Sequence, residues 1–191
     1  MSDDVPSQVT DLISGLRRVG SDTHFAEVKA SVGKLPKSIP ETLSAFANGD
    51  GGWVVLGLRE ETGFRPAAGF QALPIRDALA GACADRLQPP LRPDIQVVPF
   101  EGAEIVAALI EPVRPIDRPC YVKDRGRYNG SFIRTGDGDR RLSTYEVDRL
   151  IEEHTQPRHD EELVTEATID DLAPDLVAAS VDRQRRLRPR V

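Results

Sequence analysis

Apolar residues recur at helical spacing in four stretches of the chain, and each stretch predicts a helix with one buried face. The second stretch begins after Ser38, which we interpret as its N-cap, and it ends at Asn48 and Gly49. The first stretch covers residues 6–19, with apolar positions at Val9, Leu12, Ile13 and Leu16. The third and fourth stretches are residues 73–87 and residues 144–155.

Alternating or continuous apolar runs between these helices predict strands. The runs are residues 23–31, 53–58, 94–100, 104–112, 118–123 and 130–136. The third and fourth runs are joined at Glu101 and Gly102, which predicts a hairpin. The order of the elements predicts an α/β (α+β) fold with a mixed, mostly antiparallel sheet and flanking helices. We expect this domain to cover residues 1–157.

Residues 158–191 differ in character from the domain that precedes them. They begin with an acidic stretch that has few large apolar residues, and they end in the basic run RQRRLRPRV. Thr168 and Asp171 resemble a capping box, which predicts a helix that ends in arginines. We expect a linker and a basic helical tail that leads to a further C-terminal region. A basic arm that contacts nucleic acid is the alternative.

Composition limits the classes of protein to which this chain can belong. Its 191 residues, 39% of them hydrophobic, can bury one main core. Cys83 and Cys120 are far apart and lack metal-ligand spacing, which argues against a zinc site or a disulfide framework. No run reaches the ~20 apolar residues of a membrane span, so we expect no membrane association. A cytoplasmic location fits these features.

The glycine-rich stretch ANGDGG, residues 47–52, follows a predicted helix and precedes a predicted strand. A phosphate cradle requires the opposite order, because the free N–H groups at the start of a helix bind the anion. We therefore predict that no nucleoside triphosphate binds at this turn. Gly49 is interpreted as the left-handed residue that ends the helix, with Gly51 and Gly52 in a close-packed turn.

The segment from Arg118 to Arg141, which we call the basic segment, reverses the charge of the chain. The whole chain carries a formal charge of -6, whereas this segment has seven basic and three acidic residues, a difference of +4. Such a local reversal is typical of a surface that contacts phosphates. The residues predicted to bind nucleic acid are Lys123, Arg125, Arg127, Tyr128, Arg134, Arg140 and Arg141.

Two tyrosines, Tyr121 and Tyr128, lie among these cations. Exposed aromatic rings of this kind can stack on bases. The alternative interpretation is that the rings pack on the core and that the arginines only protect a solvated sheet edge. Both interpretations stay open at the level of the sequence.

Several blocks of the sequence resemble one known family. EVKAS at residues 27–31, LSAFANGDGGWVVLGLRE at 43–60 and FIRTG at 132–136 resemble the Schlafen-type AlbA domain in residues and order. The resemblance covers residues 20–157. It implies a nucleic-acid-binding domain at the front of a bacterial RecG-like transcriptional regulator. Arg134 within FIRTG is the binding residue that we favour, because a strand end would present its bidentate donor.

Carboxylates carry the candidate catalytic chemistry. Glu27 and Lys29 are two residues apart in a predicted strand, so their side chains share one face. The resemblance adds two positions, since Schlafen relatives that cleave transfer RNA and ribosomal RNA use three acidic residues that match Asp22, Glu27 and Glu60. This set implies a site for Mg²⁺ or Mn²⁺, with Lys29 beside the scissile phosphate. A surface ion pair is the alternative interpretation of these charges.

The sequence therefore predicts a nucleic-acid-binding domain that serves as the DNA-binding module of a transcriptional regulator, with DNA or RNA as its partner. The first alternative is a metal-dependent endoribonuclease of the Schlafen type that acts on transfer RNA or other structured RNA. The second is a protein-interaction or dimerisation module, and a homodimer stays open. No cofactor is expected beyond Mg²⁺ or Mn²⁺ for the nuclease.

Overall fold

Helices form where the apolar spacing predicted them. The computed structural model describes residues 5–21, 23–136, 138–155 and 173–187. The α-helices there are α1 Val5–Val19, α2 Ile39–Asn48, α3 Ala72–Asp85, α4 Gly126–Gly130, α5 Thr144–Thr155 and α6 Pro174–Leu187. The predicted helices correspond to α1, α2, α3 and α5, and each bound agrees to within two residues.

The strands extend the same alternating order. They are β1 Ala26–Lys29, β2 Gly52–Leu56, β3 Leu58–Arg59, β4 Arg65–Pro66, β5 Leu87–Gln88, β6 Ile95–Phe100, β7 Ala103–Ile110, β8 Tyr121–Val122, β9 Phe132–Thr135 and β10 Gly138–Arg141. The central sheet has the order β1, β2, β7, β6. β1 is parallel to β2, whereas the β2–β7 and β7–β6 pairs are antiparallel. The predicted mixed, mostly antiparallel sheet with flanking helices is confirmed.

Successive residues of the central sheet pack against different helices. Val54 of β2 belongs to the core cluster with α2 and α3, whereas its neighbour Val55 belongs to the cluster with α1. Because side chains alternate along a strand, α1 covers one face of the sheet and α2 and α3 cover the other. On β1, Ala26 and Val28 pack in the α1 cluster. Glu27 between them therefore lies on the face that carries α2.

The turn between α2 and β2 differs in one respect from the predicted turn. Gly49 has a φ of -97°, and the residue with positive φ is Gly51, at +81°. Gly51 takes this conformation because the chain folds back, so that its N–H donates to Phe46 O at 3.1 Å. The prediction that Gly49 is the left-handed residue is wrong. A Cβ on Gly51 would meet Ile110 O at 2.6 Å, so the turn is close-packed.

Asn48 is buried and ties the end of α2 to the basic segment. Its Nδ2 donates to Cys120 O at 2.8 Å and to Phe132 O at 2.9 Å, and its Oδ1 accepts from Cys120 N at 2.7 Å. Ser44, one helical turn earlier, donates to Cys120 O at 2.8 Å and accepts from Phe132 N at 3.1 Å. These bonds satisfy backbone groups that would otherwise be buried without partners. They hold β8 and β9 against α2.

The basic segment contains more elements than the two predicted strands. β8 and β9 lie within the predicted runs, but the short helix α4 stands between them, preceded by the 3-10 turn Lys123–Arg125. β10 pairs with β9 in an antiparallel hairpin. α4 has the sequence GRYNG and β10 has GDRR, and neither has an apolar period that a sequence pattern could detect.

Contacts divide the chain into two units, Met1–Thr155 and Gln156–Val191. The first contains the central sheet. The described part of the second includes α6, on which Leu176 and Val181 are exposed. The predicted capping box at Thr168 and Asp171 lies outside the described residues. Within the described ranges, no helix combines the length and the apolar composition of a membrane span.

Candidate nucleic-acid interface

Glu27 and Lys29 project side by side from β1, as their spacing predicted. Lys29 Nζ lies 2.9 Å from Glu27 Oε1. Glu27 is buried, with a side chain 7% exposed, whereas the side chain of Lys29 is 38% exposed. A buried carboxylate requires a charged or hydrogen-bonding partner, because the loss of its hydration is otherwise uncompensated. The pair is therefore not the exposed surface ion pair of the alternative interpretation.

Arg134 of β9 reaches the same carboxylate from the other side. Its Nη1 lies 2.8 Å from Glu27 Oε2 and 2.9 Å from Asp139 Oδ1. Its Nη2 donates to Ala26 O at 3.1 Å and to Thr23 O at 3.3 Å. The guanidinium thus joins the edge of the central sheet to the β9–β10 hairpin. We call Glu27, Lys29, Arg134 and Asp139 the internal ion-pair cluster.

Packing and hydrogen bonds fix Arg134 in this place. Asp139 stands opposite Arg134 in the β9–β10 register, and Thr42 of α2 donates to Asp139 Oδ2 at 2.6 Å. Arg134 Cζ lies 5.4 Å from the centre of the Phe46 ring. Burial disfavours the charged guanidinium, but hydrogen bonds and charge from Asp139 and Glu27 outweigh it, so the pKa of Arg134 is raised above its ordinary value.

This geometry corrects the sequence interpretation of Arg134. A phosphate contact requires an accessible guanidinium, and the Arg134 side chain is only 5% exposed. Its Nη1 and Nη2 are directed at two carboxylates and two backbone carbonyls. In this structure Arg134 is an internal partner of Glu27 and not a surface donor.

The three-carboxylate metal site is not assembled by the described residues. Both oxygens of Glu27 already contact cations, Lys29 and Arg134, in this arrangement. Glu60 lies in the 3-10 turn Glu60–Thr62 after β3 and is partly exposed. No group of three or more His, Cys, Asp or Glu in the described ranges is placed to hold a metal ion. Asp22 lies outside those ranges, so the metal site stays a prediction.

The other predicted cations of the basic segment lie on the surface. Arg125 pairs with Glu41 of α2, and its Cζ is 5.6 Å from the centre of the Phe132 ring. Arg140 pairs with Glu146 of α5. These two guanidiniums are exposed, but each already has a carboxylate partner.

Three exposed cations of the basic segment have no carboxylate partner within the described part of the chain: Lys123, Arg127 and Arg141. Arg127 Cζ lies 5.8 Å from the centre of the Tyr121 ring. Arg141 Nη1 donates to Asn129 Oδ1 at 3.3 Å. Since Asn129 and Arg127 share the short helix α4, Arg141 lies beside that helix. We call these three residues the open cations.

Tyr128 is exposed beside the open cations, with its ring held in place. Its hydroxyl donates to Asp148 Oδ1 of α5 at 2.8 Å, and this bond raises the pKa of Tyr128. Tyr128 is 47% exposed. Tyr145 at the start of α5 is 73% exposed. Tyr145 lies beyond the basic segment and is not among the residues that the sequence predicts to bind nucleic acid.

A capping box starts α5 and adjoins β10. Glu146 Oε2 accepts from Ser143 N at 2.7 Å, and Ser143 Oγ accepts from Glu146 N at 3.3 Å. Arg140 adds a hydrogen bond to the same carboxylate. The Arg140 guanidinium and the Ser143 donors lower the pKa of Glu146 from 4.5 to about 2. Glu146 is therefore ionised at neutral pH and neutralises Arg140.

Comparisons with known proteins identify the family of this chain. The chain is 30% identical to the N-terminal domain of a RecG-related protein from Nitrosomonas europaea, solved by NMR, with a TM-score of 0.53 over 70% of this chain and 92% of that domain. DIP2311 from Corynebacterium diphtheriae is 16% identical, with a TM-score of 0.44 over 87% of this chain and 30% of that one. No curated protein gives a significant match. The sequence model of the family described as Schlafen, AlbA_2 matches residues 22–143. This chain therefore belongs to the Schlafen AlbA_2 family.

Proposed function

We propose that this chain is a nucleic-acid-binding domain. The observation that carries the proposal is the group of open cations, Lys123, Arg127 and Arg141, on the surface of a chain whose net charge is -6. Cations without a carboxylate partner are the groups that a phosphate backbone can neutralise with release of its counterions. The relation to the N-terminal domain of a RecG-related protein supports a nucleic-acid partner.

The finer assignment is the DNA-binding module of a transcriptional regulator. It rests on family membership and on the resemblance of the motif blocks, and the geometry of the described residues does not distinguish DNA from RNA. The open cations contact phosphates in either polymer. The choice between DNA and RNA is therefore a matter for direct titration.

The test is a set of binding titrations with duplex DNA, single-stranded DNA and transfer RNA, followed by fluorescence anisotropy at several salt concentrations. If the three open cations each contact a phosphate, the plot of log K against log salt falls with a slope of about -2.7 or steeper on duplex DNA. The proposal is contradicted if none of the three polymers binds at low salt.

A metal-dependent endoribonuclease is the second candidate. It is favoured by the adjacent Glu27 and Lys29 on one face of β1, and it is opposed by Arg134, which occupies the remaining oxygen of Glu27. Transfer RNA incubated with Mn²⁺ and with Mg²⁺ tests it, with Glu27→Gln as the comparison variant. Cleavage that requires the metal and is lost in the variant would place this candidate first.

A protein-interaction or dimerisation module is the remaining alternative. It predicts an affinity that depends little on salt and no binding to the three polymers. Analytical ultracentrifugation of the free chain reports self-association directly, in the same buffers as the titrations. A stable dimer that ignores nucleic acid would favour this alternative.

A further inference from the structure

The tyrosines of the chain all lie within the basic segment or shortly after it in the sequence. The chain has three tyrosines in its 191 residues, and they are Tyr121, Tyr128 and Tyr145. Tyr121 is partly exposed, Tyr128 is 47% exposed and Tyr145 is 73% exposed. None of them belongs to the buried core, and the exposure of Tyr128 and Tyr145 excludes core packing as the role of these two residues.

Contacts place these rings along one surface. The guanidinium of Arg127 lies 5.8 Å from the centre of the Tyr121 ring, and Tyr128 is the next residue on α4. The Tyr128 hydroxyl donates to Asp148 of α5 at 2.8 Å. Tyr145 is three residues before Asp148 on the same helix, so the two share a helix face. The three tyrosines therefore follow one another from β8 through α4 to α5.

Arginines flank this line of rings. Arg127 lies over the Tyr121 ring and precedes Tyr128 on α4, and Arg141 Nη1 donates to Asn129 Oδ1 of α4 at 3.3 Å. Asp148 and Glu146 lie on the α5 side and repel phosphates, so the backbone of a bound strand would follow α4 and β10 instead. We call Tyr121, Arg127, Tyr128, Arg141 and Tyr145 the tyrosine strip.

The chemistry of the tyrosine strip distinguishes paired from unpaired bases. A base inside a duplex is covered on both faces by its neighbours, so only an unpaired base offers a face to an exposed ring. Stacking on an aromatic side chain tolerates any base, and arginines beside the rings bind the strand's phosphates. The hydrogen bond to Asp148 holds the Tyr128 ring in position before a ligand arrives, which lowers the entropy cost of binding.

We propose that the tyrosine strip binds strands with unpaired bases, in DNA or in RNA, by stacking bases on Tyr128 and Tyr145 while Arg127 and Arg141 contact the phosphates. This inference rests on the proposed function and narrows it from nucleic acid in general to unpaired strands. The same chemistry serves a single-stranded DNA and an unpaired loop of RNA.

The test compares ligands that have the same phosphates but different bases. Oligothymidine, oligouridine, an abasic strand of equal length and the matched duplex are titrated by fluorescence anisotropy. The parent protein should bind oligothymidine or oligouridine at least about tenfold more tightly than the abasic strand, since stacking contributes on that order per base. Comparing oligothymidine with oligouridine distinguishes DNA from RNA.

Two double variants test whether the preference for base-containing strands depends on the tyrosine rings. The double variant Tyr128→Ala with Tyr145→Ala should bind base-containing and abasic strands alike, whereas Tyr128→Phe with Tyr145→Phe keeps the rings and should keep the preference. Phe25→Ala is the matched control, because Phe25 is 50% exposed outside the tyrosine strip. Circular dichroism verifies that each variant is folded.

The outcomes separate this inference from the proposed function. Equal affinity of the parent for the base-containing and abasic strands, with salt-dependent binding retained, overturns the tyrosine strip and leaves the nucleic-acid-binding function standing. A preference that survives in the double alanine variant also overturns it. If no polymer binds at low salt, the proposed function fails, and the inference fails with it.

Discussion

Arg134 and Arg127 belong to the same basic segment, seven residues apart, yet the fold uses them in opposite ways. The side chain of Arg134 is 5% exposed and contacts Glu27 and Asp139. Arg127 is exposed on α4, over the ring of Tyr121, with no carboxylate partner in the described ranges. One guanidinium joins two parts of the fold, and the other is available to a ligand.

This difference shows that the +4 charge of the basic segment overstates its binding surface. Arg134 is neutralised inside the protein, and Arg125 and Arg140 are paired with Glu41 and Glu146 on the surface. Arg118 is partly buried and donates to backbone oxygens, so the remaining exposed positive charge belongs to the open cations. Stability and binding should therefore separate cleanly when residues of the two kinds are substituted.

The largest expected effect follows the removal of Arg134. Arg134→Met leaves Glu27 and Asp139 without their shared cation in a buried site, and we expect it to lower the free energy of unfolding by about 3–5 kcal/mol. Urea denaturation measures the change. Arg127→Met is the matched surface control and should change stability by no more than about 0.5 kcal/mol.

A second comparison tests the cause of that loss. Adding Glu27→Gln and Asp139→Asn to Arg134→Met removes the uncompensated charges, so part of the lost stability should return. Equal stability of Arg134→Met and the parent would show that the internal ion-pair cluster does not hold β9 to the central sheet.

The glycine turn offers a smaller effect. Gly51→Ala places a Cβ 2.6 Å from Ile110 O at a φ of +81°, and we expect a loss of about 2–3 kcal/mol from the left-handed backbone and the overlap together. Gly15→Ala on α1 is the control, because nothing lies within 4 Å of its added Cβ. Replacing a glycine inside a helix by alanine increases the stability of the helix by about 0.5–1 kcal/mol. Thermal melts that rank the two variants in the reverse order would contradict this account of the turn.

The smallest effect concerns the capping box of α5. The pKa of Glu146 is lowered from 4.5 to about 2 in the folded chain, so its stabilising contribution is full above pH 4.5 and is lost as the pH falls toward 2. The parent should therefore be more stable than Glu146→Gln at neutral pH, and the difference should shrink in that acidic window. A difference that stays constant down to pH 2 would show that the carboxylate does not act through its charge.

The helices and the central strands could be predicted from the sequence because their signals are local. The spacing of Val9, Ile13 and Leu16 within one helix is sufficient to predict α1, and the same holds for α2, α3 and α5. α4 and β10 were missed because their residues are polar or glycine. They take their conformation from contacts with β8, β9 and α2, which no local pattern records.

The candidate site was harder to predict because its contacts are distant in sequence. Arg134 and Glu27 are separated by 107 positions, so the sequence shows two charges but not their pairing. Asn48 was assigned to a helix end, although its amide bonds to Cys120, 72 positions away. The neighbours Glu27 and Lys29, by contrast, were placed correctly on one face, because strand geometry alone decides that.

The central claim is that the open cations bind the phosphates of a nucleic acid. Its most direct test is the salt dependence of binding in two matched triple variants. Lys123→Ala, Arg127→Ala and Arg141→Ala together remove the open cations, whereas Arg59→Ala, Arg65→Ala and Arg92→Ala remove three other exposed cations. On duplex DNA, the first variant should lose affinity, and its slope of log K against log salt should be smaller in magnitude by about 2.7. The second variant should resemble the parent. Equal losses in both variants, or no loss in the first, would contradict the assignment of the interface to the basic segment.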